Sequence, residues 1–434
     1  MIKNRKESIK FLIIFGITCI IFIPFLMGHY SADTYKIYNI GYKEAAIGSL
    51  KDGRIAMAII GLMAWKTNIS IEGYVFATLL IALCISDLIV IKLNIIIKRY
   101  KQPKNIVQEV LLTSICFITI FNFTYLENMF FVESIVMATS IFLYMIAADS
   151  LVQKSEKHFI ISIIMITLGV LCYQGTIGMF ITFLILFTVL KNKNNLKQII
   201  RDLLKGATIC CIAVLLNIVF IKFIGKIFNE VSYRSGNISD IFYNIKVIIK
   251  TMLYILQNTC NLFPKNLLLL LLLSLTVIVL IYQLKNNNKE NKIWYKYLTI
   301  VFITIAGSNI TFLITLSSFF TGRVRNALGA LIGIIFILLY VETTLLEKKG
   351  ILKSLTYSII ILYIIVTITN YEKIMVQLKQ INKLEKQEVE EIDKYIKQYE
   401  KDNEIVITNL VKVMYLNSPN KHTLKKYHLL HIML

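Results

Sequence analysis

Long apolar runs alternate with short polar breaks along most of this chain. The runs at 11-28, 73-97, 106-125, 129-150, 159-174, 176-190, 206-224, 266-284, 297-316, 326-346 and 351-369 approach or reach the roughly 20 residues that cross a bilayer core. They predict an all-α polytopic membrane protein with about eleven transmembrane helices. Two early stretches break the pattern. Tyr35, Tyr38, Tyr42, Ala45 and Ala46 recur at helical spacing, with Lys36, Lys43 and Lys51 off that stripe, as suits a helix lying in the membrane interface. Segment 55-65 is apolar but too short to span, and predicts a re-entrant or interfacial piece. Segment 222-265 carries a Tyr233-Arg234 pair and has room for another interfacial helix. From 370 the composition changes. Tyr371 to Lys401 is rich in Lys, Glu and Gln with helical spacing, and Glu404 to Thr408 reads as a short strand. The expected division is a transmembrane domain over 1-369 and a small external C-terminal α/β tail, a cap, over 370-434.

Composition agrees. The 434 residues are 56% hydrophobic and only 17% charged, where a soluble domain carries about a quarter charged. The net charge of +21 is not a nucleic-acid footprint, because the cations sit in short clusters between apolar runs and form no separate basic domain. Lys and Arg are about threefold denser in alternate loops, beginning with the N-terminus. That places the N-terminus in the cytoplasm, the first loop outside and, after eleven spans, the C-terminus outside. Abundant Ile, Lys and Asn are the usage of an AT-rich bacterial genome, which makes the expected location the bacterial cytoplasmic membrane. The seven cysteines form no C-x-x-C and suggest no metal site.

Four groups of candidate residues fall on the face read as external. His29 and Asp33 follow the first span, where the bland alternative is an acid capping the next helix. Glu127 and Glu133 flank the break between the third and fourth spans, and acids at that depth are costly unless paired or used. Tyr173, Gln174 and Gly175 turn a short hairpin. They could hydrogen-bond a sugar or simply make a tight turn. Arg54, Arg323 and Arg325 stand out because Lys supplies most of this chain's positive charge, and guanidinium suits bidentate phosphate binding. Asp87 and Asp149, near the other ends of spans, read as structural.

The acid after the first span (His29-Tyr30-Ser31-Ala32-Asp33), the Asp52-Gly53-Arg54 segment, the Glu127 to Glu133 region and Cys172-Tyr173-Gln174 together resemble the type II O-antigen glucosyltransferases, polytopic enzymes related to the GT-C class. The resemblance covers most of residues 1 to 345. It implies a GT-C-like fold and transfer of a sugar, glucosyl by the family's habit, from a polyprenyl-phosphate donor to a cell-surface polysaccharide or glycolipid at the outer membrane face. It puts Asp33 in the role of catalytic base. Arg54, Arg323 and Arg325 become donor-phosphate ligands, and Glu127, Glu133, Tyr173, Gln174 and His29 candidates to hold the acceptor or a divalent cation. The partners implied are the bilayer, a polyprenyl-phosphate glucosyltransferase that makes the donor, and a flippase that delivers it. Two alternatives stay open on the residues alone: a flippase or transporter of lipid-linked sugars, and an O-antigen-type polymerase.

Overall fold

The computed structural model describes residues 5–153, 155–192, 195–228, 240–285, 293–313, 321–343, 346 and 350–403. Among them every regular element is helical. The first span is a helix with a short continuation, α1 (Arg5–Ile21) and α2 (Ile23–Leu26). The interfacial stretch forms α3 (Ala32–Lys51), and the short apolar segment forms α4 (Ile55–Thr67), which packs back on α3. The bundle continues as α5 (Ile71–Lys98), α6 (Ile106–Ile120), a short α7 (Tyr125–Phe130), α8 (Ser134–Val152), α9 (Glu156–Cys172), α10 (Gly178–Asn192) and α11 (Leu196–Phe228). Segment 222-265 does hold a further helix, α12 (Ile241–Asn258). The last helices are α13 (Leu267–Lys285), α14 (Ile293–Gly307), α15 (Asn326–Glu342) and α16 (Ile351–Asn403).

Apolar helices form here because a helix satisfies its own backbone where no water is available to do so. Polar side chains mark where they start. Ser70, Asn105 and Ser155 cap α5, α6 and α9 by accepting a backbone N–H three residues on. α15 is buried from Asn326 to Tyr340. It packs on α6, α10 and α14, while α8 packs on α5, α9 and α10. A helix apolar on every side belongs inside such a ring. The outer helices show their apolar side instead: Leu215, Val219 and Phe223 of α11 and Leu270 and Leu273 of α13 are exposed, the surface a lipid-immersed bundle presents.

Two expectations change. Seven described helices, not eleven, are long and apolar enough to cross a membrane by themselves. α6 and α15 are apolar but shorter, at 15 and 17 residues. The division at 370 is also not a break in structure, since α16 runs through it as one helix of 53 residues. Lys, Glu and Gln change the helix from apolar to polar, but all three are good helix formers, so the backbone continues. The strand expected at Glu404 to Thr408 and the remainder of the α/β tail lie outside the described residues, as does the Tyr233-Arg234 pair of the long loop.

The helix ends sort onto two faces. On one, Lys98 pairs with Glu109 (2.8 Å) and Glu7 (3.1 Å), and Arg99 pairs with Asp149 (2.8 Å). Lys101 donates to the carbonyls of Tyr340 and Thr343, each at 2.8 Å. These contacts fasten the start of α1, the ends of α5, α8 and α15, and the start of α6. Asp149 is thus a structural acid, and Asp87 is buried at 0% exposure, taking a hydrogen bond from Thr18 at 3.0 Å. The candidate residues gather at the opposite face.

Candidate active site

Asp33 owes its position to a cap that belongs to another residue. Ser31, extended at φ −101° and ψ 171°, accepts the Thr34 N–H, and the Thr34 hydroxyl accepts the Ser31 N–H. This capping box starts α3 at Ala32. Asp33 therefore lies in the first turn, and the cap expected of it is made by Ser31. The helix dipole favours a carboxylate there, and its side chain is 33% exposed. His29, just upstream, is fastened into the protein. Its Nδ1 lies 3.0 Å from the Phe25 carbonyl and its Nε2 2.9 Å from the Phe130 carbonyl, with the ring stacked on Phe25. Burial lowers its pKa, against the pull of the two carbonyls.

Arg54 is held by a turn that three elements define. α3 ends at Asp52, and Gly53 adopts φ +76°, a conformation that glycine alone takes without strain. Gln174 donates to the Asp52 carbonyl (3.0 Å) and to the side-chain oxygen of Asn217 (3.1 Å), and Asn217 donates to the Gly53 carbonyl (3.0 Å). A Cβ at Gly53 would come within 2.9 Å of Asn217 and 2.7 Å of Ile221. Gln174, expected at a substrate, thus anchors this turn together with α11. Arg54 leaves the turn to bond Glu133 at the start of α8, and its guanidinium lies 5.0 Å from the centre of the Tyr173 ring. Burial works against its charge, but Glu133, then Tyr173, Asp52 and Asp33, more than offset it and raise its pKa.

Arg323 completes the junction. Its backbone N–H donates to Glu127 Oε2 at 3.0 Å, and its guanidinium stacks 4.0 Å over the Phe131 ring and lies 3.8 Å from Asp33. A Cβ at Gly322 would stand 2.3 Å from Leu262 and 2.6 Å from Glu127 Oε2, so both side chains would have to shift. Burial raises the pKa of Glu127, while Arg323 and the N–H groups of Arg323 and Gly322 act the other way. Asp33, Glu127, Glu133, Arg54, Arg323 and Tyr173 are thus brought into one network from five separate stretches of chain. Arg325 turns away onto Phe312, 4.6 Å from that ring, at 0% exposure. Asp33, Lys36, Ser49, Asp52, Arg54, Tyr74 and Glu133 line a small cleft of about 50 Å³. No three His, Cys, Asp or Glu side chains gather as a cation site among the described residues.

A family model described as glucosyl transferase GtrII matches residues 22–325. The chain belongs to the GtrII glucosyl transferase family. It is a membrane glycosyltransferase. The match runs from the end of the first span to Arg325, so it takes in every candidate residue described above and leaves α16 outside. No curated protein and no solved structure matches the chain. Two residues of this candidate site escaped sequence reasoning. Asn217 had a signal, since it is a polar residue within an apolar run, and such residues usually have a task. Tyr74 had none, being one of many tyrosines near a span end.

Proposed function

We propose that the chain transfers a glucosyl unit from a polyprenyl-phosphate donor to a polysaccharide or glycolipid acceptor at the external face of the bacterial cytoplasmic membrane. The observation that carries this reading is the meeting of Asp33 with Arg323, 3.8 Å apart, beside Arg54 at an open cleft. A carboxylate and two guanidinium groups at one place are what glycosyl transfer from a lipid phosphate requires.

In the reaction, the acceptor hydroxyl attacks the anomeric carbon while Asp33 takes its proton. The bond from that carbon to the phosphate oxygen breaks, and its electron pair leaves with the phosphate. Positive charge developing on the sugar is stabilised by nearby carboxylate, as in glycosidases. Negative charge developing on the phosphate falls to Arg54 and Arg323. Their five N–H donors each can bond a phosphate in addition to Glu133 and Asp33. One displacement inverts the anomeric centre. Glu133 and Glu127 hold the two arginines at the correct separation, and Tyr173 supports Arg54 from below. Arg325, His29 and Gln174 act through the frame: Arg325 by packing on Phe312, His29 by tying the Asp33 loop to α7, and Gln174 by fixing the Arg54 turn. A flippase and a polyprenyl-phosphate glucosyltransferase are the proteins that supply such a donor.

The test is sugar transfer in membrane vesicles given radiolabelled polyprenyl-phosphate glucose. Asp33→Asn keeps the shape and removes the base. Its kcat is expected to fall about 100- to 10,000-fold with normal insertion. Full transfer by this variant sinks the proposal. Vesicles in which neither protein transfers sugar, yet both move the lipid-linked sugar across the bilayer, would establish a flippase.

A further inference from the structure

The loop that leads into Asp33 is held by a helix outside the family match. Residues 28 to 31 have no regular structure of their own. Tyr30 lies three residues before Asp33, and its peptide is gripped at both ends by one side chain of α16. The Tyr30 N–H donates to Asn382 Oδ1 at 2.9 Å, and Asn382 Nδ2 donates to the Tyr30 carbonyl at 3.1 Å. The same Nδ2 donates to Glu385 at 3.1 Å, and Glu385 accepts the Tyr35 hydroxyl at 2.7 Å, on the far side of Asp33. Tyr30 and Tyr35 stack at 5.7 Å. Tyr30 also donates to Glu72 at 2.6 Å. The stretch from Tyr30 to Tyr35 is thus fastened from one side while Arg323 meets Asp33 on another.

The grip has a rigid base. Below Asn382, Tyr371, Ile374, Met375, Leu378 and Ile381 are buried against the bundle. The Tyr371 hydroxyl donates to the Asn122 carbonyl, and Asn370 donates to that of Leu262. An asparagine amide presents one donor and one acceptor side by side, and so pairs with a peptide as a neighbouring strand does. Alanine offers neither group. Aspartate offers two acceptors and repels the carbonyl. Protonated aspartic acid restores one donor and one acceptor in nearly the same shape.

We infer that Asn382, with Glu385, makes the extended half of α16 a positioning element of the glycosyl-transfer site, setting where Asp33 stands. The inference rests on the catalytic reading above. A misplacement of about 1 Å at a reacting group can cost about 100-fold. Asn382→Ala is therefore expected to lower kcat about 10- to 100-fold with the KM for polyprenyl-phosphate glucose nearly unchanged. Glu390→Ala, on an exposed part of the same helix, is expected to match wild type in both. Asn382→Asp sets a second carboxyl against Glu385, and two carboxylates sharing one site hold a proton above the ordinary aspartate range. The variant should therefore be impaired near pH 8 and regain activity, as a ratio to wild type at the same pH, as the pH falls through about 5. A merely structural residue gives no such rise. Hydrogen exchange adds a measure that needs no activity: the amides of residues 29 to 35 are expected to exchange faster in Asn382→Ala.

Wild-type kcat in Asn382→Ala overturns the inference, as does a flat Asn382→Asp ratio. The second result decides if the alanine variant fails to insert. Unchanged loop exchange overturns it whatever the activity. If wild type itself transfers no sugar, the catalytic reading falls, and faster exchange in Asn382→Ala still supports the grip on the loop.

Discussion

Arg54 and Glu133 are 11% and 8% exposed at their side chains, and at that depth the pair behaves unequally when broken or replaced. Taking one charge away leaves the other desolvated and unmatched, at a cost of about 3–5 kcal/mol. Glu133→Ala is therefore expected to lower the Tm and the yield in membranes strongly, and Glu133→Gln, which keeps an acceptor, less so. The joint replacement Arg54→Met with Glu133→Leu removes both charges. It should regain most of the stability and none of the transfer, as read by thermal unfolding in detergent beside the vesicle assay. Unequal behaviour of this kind separates a pair retained for chemistry from one retained for strength. The sequence revealed the types of these residues but not their pairing. Arg54 and Glu133 stand 79 positions apart, and the second anchor of His29 comes from 101 positions away.

α3 is the element that joins the two halves of the proposed chemistry, with Asp33 in its first turn and Arg54 just past its end. It is not straight. Gly41 interrupts it at φ 79° and ψ 164°, a region essentially restricted to glycine and strained by about 1–3 kcal/mol for other residues. Nothing stands within 4 Å of the Cβ that alanine would add there. The effect of Gly41→Ala is therefore on the backbone alone. The helix is expected to straighten or to resist the bend, moving Asp33 relative to Arg54. Transfer should fall by more than the loss of stability accounts for, in the same pair of assays. Helical spacing in the sequence predicted that α3 lies in the interface, but the period of a pattern does not report a single-residue break. α16 shows the reverse failure. Its change of composition at 370 looked like a domain boundary, and the backbone passes through it unchanged because polar and apolar helix formers are alike in backbone preference.

Over the whole molecule, the alternation of spans assigned nine residues to one face: His29, Asp33, Arg54, Glu127, Glu133, Tyr173, Gln174, Arg323 and Arg325. That assignment comes from counting crossings and locating cations; contacts bring Asp33, Arg54, Glu127, Glu133, Tyr173 and Arg323 into one network, while Arg325 packs on Phe312. The role of α16 was not legible in the sequence, since Asn382 is one polar residue among many in a polar stretch. The arrangement makes a topological prediction. Single cysteines at Lys66 and Glu390 should react with a membrane-impermeant maleimide from the same side of sealed vesicles, and one at Lys104 from the other, in a background whose native cysteines do not label. Reaction of the Glu390 and Lys104 positions from one side would contradict the fold.

α11 faces two ways. Asp202, Gly206, Ile209, Ala213 and Asn217 form its buried stripe, while Leu215, Val219 and Phe223 lie on its exposed one. A helix immersed on one side adjusts its tilt to the thickness of the hydrocarbon around it. Asn217 bonds the Gly53 carbonyl, next to Arg54, so a change in that tilt is expected to reach the Arg54 guanidinium. On the proposed function, the turn that holds Arg54 would then act as a strain gauge set in the bilayer. In reconstituted membranes, turnover is expected to pass through an optimum as acyl chains lengthen, and Asn217→Ala to flatten that optimum.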